Sequence, residues 1–486
     1  MTATLELRDA YYARVAPLYG EALRNKTFGI VGGEKCLEIA LLLARCGVCR
    51  FAAGELTDIL RQKLCEQNPL EDRYEFRDLT FADVVLWGPG GARAGIERPV
   101  LKLSFPQNAS ARMRLDVFAA GCVCDTEKFN WPNDPFDCAD AANRAAAFAR
   151  AMLLRNESRG AAETSKFIDV FANPAILIGH TRWPWWIRGF ERADADEFLQ
   201  VNSEVENERK NCPRRGRILI VGCGSLGSVA AVRLAPLVES LVLCDPERVA
   251  IENPVRQEFR IADVGTFKSE ALARRCCELG GAARGSVRAE EDSKHGAQAL
   301  ESLLETENPD LVILATGTGA EFMAASVLRR RGIPHVAARC YARARYFEII
   351  AVDGARGPCF HCLREQLNTG PAPSLTPEQK ARYDPDFRPG KLNAEPASII
   401  ESGRCAIVLA RIASELLKDD AVRPSWLRET LAQERNCFIG ANHSERDNTG
   451  RWAYGIDAPG KVATFGVEDV VGARPGDRCG DCGRVF

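Results

Sequence analysis

No stretch of this 486-residue chain approaches the run of about 18 uninterrupted apolar residues that a membrane-spanning helix needs, so no membrane span is expected. Neither sign of charge prevails: 64 Lys+Arg against 66 Asp+Glu leave a formal net charge of -2. There is no long basic stripe or Lys-rich tail, so a nucleic-acid polyanion is not expected as the main partner. The opening MTATLELRDAYY carries acids early and lacks an apolar stretch, which does not read as a signal peptide; a cytoplasmic setting is expected. Cysteine, by contrast, is plentiful at 19 residues. An odd total without a secretory segment favours reduced thiols and a metal over a disulfide scaffold. Cys36, Cys46, Cys223, Cys244, Cys276 and Cys277 lie in apolar or helical runs, where a free thiol packs as a small hydrophobe.

The length implies about two to four domains. Arg217 to Asp245, RILIVGCGSLGSVAAVRLAPLVESLVLCD, reads as an apolar strand, a glycine turn, an amphipathic helix and a second apolar strand ending in an acid. A helix at Lys268 to Leu279 and strands near Ser286 to Ala289 and Asp310 to Ala315 continue the α/β pattern. Periodicity then disappears in a long connection, about residues 363–400, before a helix at Cys405 to Leu417 and short strands around Trp452 to Phe465. The first 200 or so residues repeat this order in degraded form. Thr27 to Arg50 has VGG in place of VGCG, FADVVLWGPGG parallels NPDLVILATGTG, and Asp137 to Leu154 parallels the helix after Cys405. The expected fold is thus α/β: duplicated Rossmann-like parallel-sheet units, forming a pseudo-dimer within one chain. The first copy, 1–203, has lost its chemistry; a polar linker at 204–216 leads to the second, 217–486.

Gly222, Gly224 and Gly227 form a G-x-G-x-x-G turn between a strand and a helix, which allows close backbone approach to a phosphate. Asp245, ending the next strand, is placed for a ribose hydroxyl. Taken alone this means only a nucleotide, and a dehydrogenase is the commonest owner. The stretch after the acid points elsewhere, because Asn253, Arg256, Gln257 and Lys268 cluster there, where a dinucleotide enzyme needs no such group.

Asp245, Val249, Asn253, Arg256 and Gln257, then Gly265 and Lys268, stand in the register of the ubiquitin-activating and sulfur-carrier-activating (ThiF-like) adenylyltransferases, which the second half resembles. The resemblance implies duplicated adenylation domains, with Asp245 on the ATP ribose and Asn253, Arg256 and Lys268 cradling the triphosphate. It also implies Mg2+, although LATGT puts Gly317 where the family has an acid; phosphates and water would then hold the ion. Fixed cations suit this chemistry, since charge develops on phosphoryl oxygens and on leaving pyrophosphate. Family members also borrow an arginine from the paired domain, and Tyr12, Ala13 and Arg14 match that motif loosely, making Arg14 the candidate.

Cys359 and Cys362 in GPCFHCLRE, with Cys479 and Cys482 in DRCGDCGRVF, make two C-x-x-C pairs. Two such knuckles supply the four soft ligands of tetrahedral Zn2+, and the family carries such split pairs. A redox C-x-x-C would leave the second pair unexplained. His361, between two ligands, reads as a surface residue. For conjugating members a nucleophilic cysteine is implied, with Cys405 at the start of the helix after the long connection favoured over Cys437 beside His443; the alternative for Cys405 is a packed thiol. By resemblance, the expected function is adenylation of a ubiquitin-like protein with a C-terminal glycine, a thioester on Cys405, and handover to a ubiquitin-conjugating-like transfer enzyme, as in bacterial conjugation systems of antiviral defence. The alternatives are a sulfur-carrier adenylyltransferase without a thioester and a non-catalytic scaffold.

Overall fold

Two sheets share one strand order. The structure, a computed structural model, describes residues 7, 10–12, 15, 22–69, 71, 74–89, 94–96, 98, 100–104, 114–118, 122–124, 135–155, 216–286, 293–317, 320–341, 344, 346–364, 397–419, 423, 425–442, 465–471 and 479–483. In the first half run β1 (Thr27–Val31), α1 (Leu37–Arg45), β2 (Arg50–Ala52), α2 (Thr57–Gln67), β3 (Glu75–Phe76) and β4 (Val84–Trp87). They are followed by β5 (Ala94–Ile96), β6 (Val100–Ser104), β7 (Arg114–Phe118), β8 (Cys122–Cys124) and α3 (Pro135–Arg155). The second half opens with β9 (Arg217–Val221), α4 (Gly227–Leu234), β10 (Ser240–Cys244), α5 (Lys268–Glu278), β11 (Ala283–Ser286), α6 (Ser293–Glu307), β12 (Leu311–Leu314) and α7 (Ala320–Arg330). It continues with β13 (His335–Tyr341), β14 (Tyr346–Val352), α8 (Phe360–Arg364), α9 (Ile399–Leu416), α10 (Ser425–Ala432), β15 (Cys437–Asn442) and β16 (Phe465–Val471).

The first sheet has the order β3-β2-β1-β4-β6-β7 and the second β11-β10-β9-β12-β13-β14-β15-β16. In each, the first five strands are parallel and the sixth is antiparallel. The strand order therefore reverses between β1 and β4, and again between β9 and β12. Such a reversal opens a crevice at the carboxyl ends of the strands. The expected pair of like α/β units is what the strand orders display. Of the tract 204–216 only Gly216 is described, and residues 365–396 of the long connection lie outside the described residues.

The strands are apolar in continuous runs because both faces are covered. Ile218, Ile220, Leu241 and Leu243 face one core, while Leu219, Val242, Val312 and Leu314 face another. The first of these cores does not stop at the half boundary. It joins Phe28, Ile39 and Leu43 of the first half to Ile220, Leu234 and Ile407 of the second. Two helices make this continuity possible. Helix α9 is buried along nearly its whole length, and α3 presents Ala139, Ala142, Ala145, Ala146 and Ala149, small enough for close helix approach. At their crossing the guanidinium of Arg150 donates to Ser398 Oγ at 3.1 Å and pairs with the Glu401 carboxylate, with both side chains buried. Removing one partner of such a buried pair typically costs about 3–5 kcal/mol.

Several expected boundaries move. Helix α9 starts at Ile399, with Ser398 as N-cap accepting from the Ile400 amide at 3.2 Å, so it begins six residues before Cys405 rather than at it. The strand expected near Ser286 to Ala289 is β11 at Ala283–Ser286; of the strands expected around Trp452 to Phe465, residues 452–464 lie outside the described residues and Phe465 opens β16.

Candidate nucleotide site and cysteine cluster

The glycine turn sits at the mouth of the β9/β12 crevice. Gly222 has φ +95°, and a Cβ there would lie 2.6 Å from the Ala315 carbonyl oxygen, so the turn needs a residue without a side chain. A Cβ on Gly224 would meet nothing within 4 Å, which leaves that backbone open to a ligand. Helix α4 starts at Gly227, directing its first amides toward the turn.

Asp245 directly follows β10 beside this turn. Its carboxylate accepts from the Cys223 amide at 2.7 Å and the Glu247 amide at 2.9 Å. Burial raises its pKa above the ordinary range, against the pull of Lys268 and the two amides. Lys268 is brought opposite by a short backbone zipper: Val249 N donates to Thr266 O (2.8 Å), Gly265 N to Val249 O (2.8 Å) and Lys268 N to Glu247 O (2.9 Å). Lys268 is the first residue of α5 and is buried, its ammonium paired with the exposed Glu247. A cation at a helix N-terminus opposes the helix dipole, and such local conflicts gather at working sites.

Asn253, Arg256 and Gln257 are buried in the turn between these walls. Asn253 organises it: Oδ1 accepts from the Ala250 amide at 2.9 Å, and its carbonyl accepts from the Arg256 and Gln257 amides at 3.0 and 2.9 Å. Among the described residues, Gln257 Oε1 is buried with no hydrogen-bond partner. The structure thus sets Asp245 and Lys268 near the glycine turn, and carries Asn253, Arg256 and Gln257, all buried, in the loop between those two residues. Arg14 lies outside the described residues.

An acid that the family pattern does not mark lies one helical turn beyond Gly317. The Gly317 amide donates to Glu321 Oε1 at 2.7 Å, and Glu321 Oε2 pairs with Arg339 of β13 at 2.7 Å. Glu321 is buried in the first turn of α7. Its position, just after a Gly-Thr-Gly loop, was the available signal.

Cys359, Cys362, Cys479 and Cys482 converge, with all four sulfurs within 4.8 Å of one another. The separations are 3.4 Å for Cys359–Cys362, 3.6 Å for Cys359–Cys479 and 3.5 Å for Cys362–Cys482. A tetrahedron with metal–sulfur bonds of about 2.3 Å has edges of about 3.8 Å, so the cluster fits a four-thiolate metal with little adjustment. Hydrogen bonding from the Cys362 thiol, with those of Cys479 and Cys482, holds the Cys359 thiol below its ordinary value. His361 is not simply a surface residue: Nε2 lies 3.0 Å from Ser326 Oγ and 3.1 Å from the Phe322 carbonyl, while Ser326 Oγ donates to Asp481 at 2.6 Å. These contacts fasten the cluster to α7.

Neither candidate nucleophile is exposed. Cys405 is fully buried within α9, and burial, then Cys340 and Glu348, push its thiol pKa well above the ordinary value. Thiolate formation is suppressed where a nucleophile needs it promoted. Cys437 is equally buried and lies on β15 rather than in a polar loop; His443 lies outside the described residues.

Residues 200–418 match the model of the ThiF family. That ThiF-matching segment contains the glycine turn, the Asp245 to Lys268 stretch and the first cysteine pair. No protein among curated sequences matches the chain. Among solved structures, Escherichia coli MccB with MccA-N7isoASN is 14% identical with a TM-score of 0.39, the match covering 79% of this chain and 98% of MccB. MccB from the same organism with ATP is 15% identical at a TM-score of 0.33, covering 66% and 88%. PaaA is 18% identical at 0.32, covering 60% and 83%.

The partner expectation is also corrected. Several of the MccB structures hold MccA or a variant of it, and a ubiquitin-like protein is named in none of those. With both candidate thiols buried, a thioester relay to a transfer enzyme has no accessible sulfur among them. Among the described residues, no helix is long and apolar enough to cross a membrane.

Proposed function

We propose that this chain is an ATP-dependent adenylyltransferase that activates the carboxyl terminus of a sulfur-carrier protein or small peptide, without a thioester step. The observation that supports it most is one glycine turn tied to Asp245 through the Cys223 amide, with Lys268 beside that carboxylate and the turn of Asn253, Arg256 and Gln257 joined to α4 through Glu258 and Ser228, all within the ThiF-matching segment. A dehydrogenase would use the glycines and Asp245 but leave the remaining cluster idle.

In this reading Asp245 accepts from a ribose hydroxyl, while the amides from Gly224 to Gly227 face phosphate. Arg256 and Lys268 counter the charge that grows on the phosphoryl oxygens and leaving pyrophosphate as a carboxylate attacks the α-phosphate. Mg2+ would ride on the phosphates and water, since Gly317 offers no carboxylate and Glu321 is occupied by Arg339. The four cysteines would hold Zn2+, which fixes the C-terminal cysteine pair to the start of α8. Residues 217–486 form the active unit, 1–203 a duplicated copy without chemistry, and 204–216 the linker.

Pyrophosphate exchange into ATP, stimulated by small proteins or peptides with a free C-terminal carboxylate, tests the reading. Wild-type exchange with loss of about 100-fold or more in Lys268→Ala is expected, since one well-placed charge is worth about 2.7–4 kcal/mol in such transition states. An ATP titration should give one site per chain, because the first half lacks the intact turn. ATP binding without exchange for any such substrate would favour the scaffold reading.

A further inference from the structure

The nucleotide turn is held from outside its own half. Arg45, the last residue of α1, reaches across with Nη1 to the Gln257 carbonyl at 3.5 Å and to Glu258 Oε1 at 3.4 Å. Its side chain is only 12% exposed, so the contact is shielded from competing water. A second ion pair crosses the boundary in the opposite sense: Arg233 of α4 meets Glu38 of α1 at 2.6 Å. Burial would raise the Glu258 pKa, yet Arg45, Arg233 and Arg275 hold it below the ordinary carboxylate range.

Between β10 and α5 the chain has no regular element beyond a single short helical turn at Ile261–Asp263. Contacts from neighbouring elements therefore decide where its side chains lie. On the side of its own half, Ser228 Oγ accepts from the Glu258 amide at 3.2 Å. On the other side stands Arg45, anchored on a helix packed into the core shared by both halves.

We infer that Arg45 is a positioning residue for nucleotide binding, acting through Gln257 and Glu258 on the turn that carries Arg256. This rests on the proposed adenylation activity. It gives the first half a task apart from packing: it supplies a fixed cation that pre-sets a loop in the second half, so that ATP need not order the loop on arrival.

Calorimetric titration of ATP into the wild type, Arg45→Ala, Arg45→Lys and Glu258→Gln tests it, with the exposed Arg61→Ala as control, alongside hydrogen exchange of amides 253–258 without nucleotide. Arg45→Ala should bind ATP about ten-fold more weakly, as loss of a shielded charged contact implies, and Arg45→Lys should recover part of that. Exchange at 253–258 should quicken in Arg45→Ala, while Arg61→Ala should match the wild type in both measurements. A merely structural Arg45 would lower the melting temperature yet leave ATP affinity within about two-fold, and that would overturn the proposal. Should Arg45→Ala not fold, wild-type affinity in both Arg45→Lys and Glu258→Gln would overturn it equally. If the wild type itself binds no ATP, the adenylation reading fails; unchanged exchange in Arg45→Ala would then separately remove the positioning role.

Discussion

A Cβ on Gly227 would lie 1.8 Å from the carbonyl oxygen of Gly222, so the first residue of α4 is pressed against the turn that precedes it. Gly224, between them, has open space where its side chain would go. The two glycines thus serve different ends. Gly227→Ala should lose more than about 4 kcal/mol or fail to fold, the class of a steric clash against backbone. Gly224→Ala should melt close to the wild type but bind ATP poorly. Melting curves and ATP titrations check both; a Gly227→Ala protein with wild-type stability would mean that helix and turn are not packed this way.

The cysteine cluster should carry about one zinc per chain, and Cys359→Ser or Cys482→Ser should remove most of it, since a four-thiolate site loses its geometry with one ligand. Elemental analysis of protein purified without chelator is the measurement. Metal-free wild type would end the assignment.

Cys405→Ala should retain pyrophosphate exchange at close to the wild-type rate and lose only about 1–2 kcal/mol of stability, because the thiol is a buried packing group. Peptide mapping of a covalent acyl adduct on Cys405 would refute this and revive the thioester relay.

His335 is fully buried at the start of β13, its Nδ1 3.0 Å from the Ile333 carbonyl, and burial lowers its pKa to about 4. A depressed pKa means that the unfolded chain takes up a proton first, near pH 6.5. Its contribution is therefore whole above that pH and is lost as pH falls through about 4. Urea midpoints of the wild type should drop between pH 7 and pH 5, and those of His335→Gln should drop less. Parallel declines would place the pH sensitivity elsewhere.

The parts of the fold that were legible in sequence are those whose signal is local. The run from Arg217 to Asp245 declared β9, α4 and β10 because strand, glycine turn and helix succeed one another without long-range help. The two C-x-x-C pairs announced themselves despite a separation of 120 residues, since each knuckle is a motif on its own. The start of α9 was misplaced although its signal was present: Ser398 and Glu401 have the spacing of a capping pair, and Ser398 does cap. That shift turned Cys405 from a helix-end thiol into a buried one. Arg45 with Glu258, and Arg150 with Glu401, lie 213 and 251 residues apart, and nothing local marks either arginine as half of a pair. Glu321 was passed over because the family pattern sets its acid at Gly317 and not one helical turn later.

The core that runs without interruption from α1 and α3 into α4 and α9 limits how this chain can change over generations. The first half is not free to shrink or vanish. Here its loss would strip α9 of its covering and expose Glu401 without its arginine. Gene fission would fare no better, because each product would display a broad apolar face and meet the other only at cellular concentrations. Selection on the first half therefore acts through solubility as well as through any work its residues do.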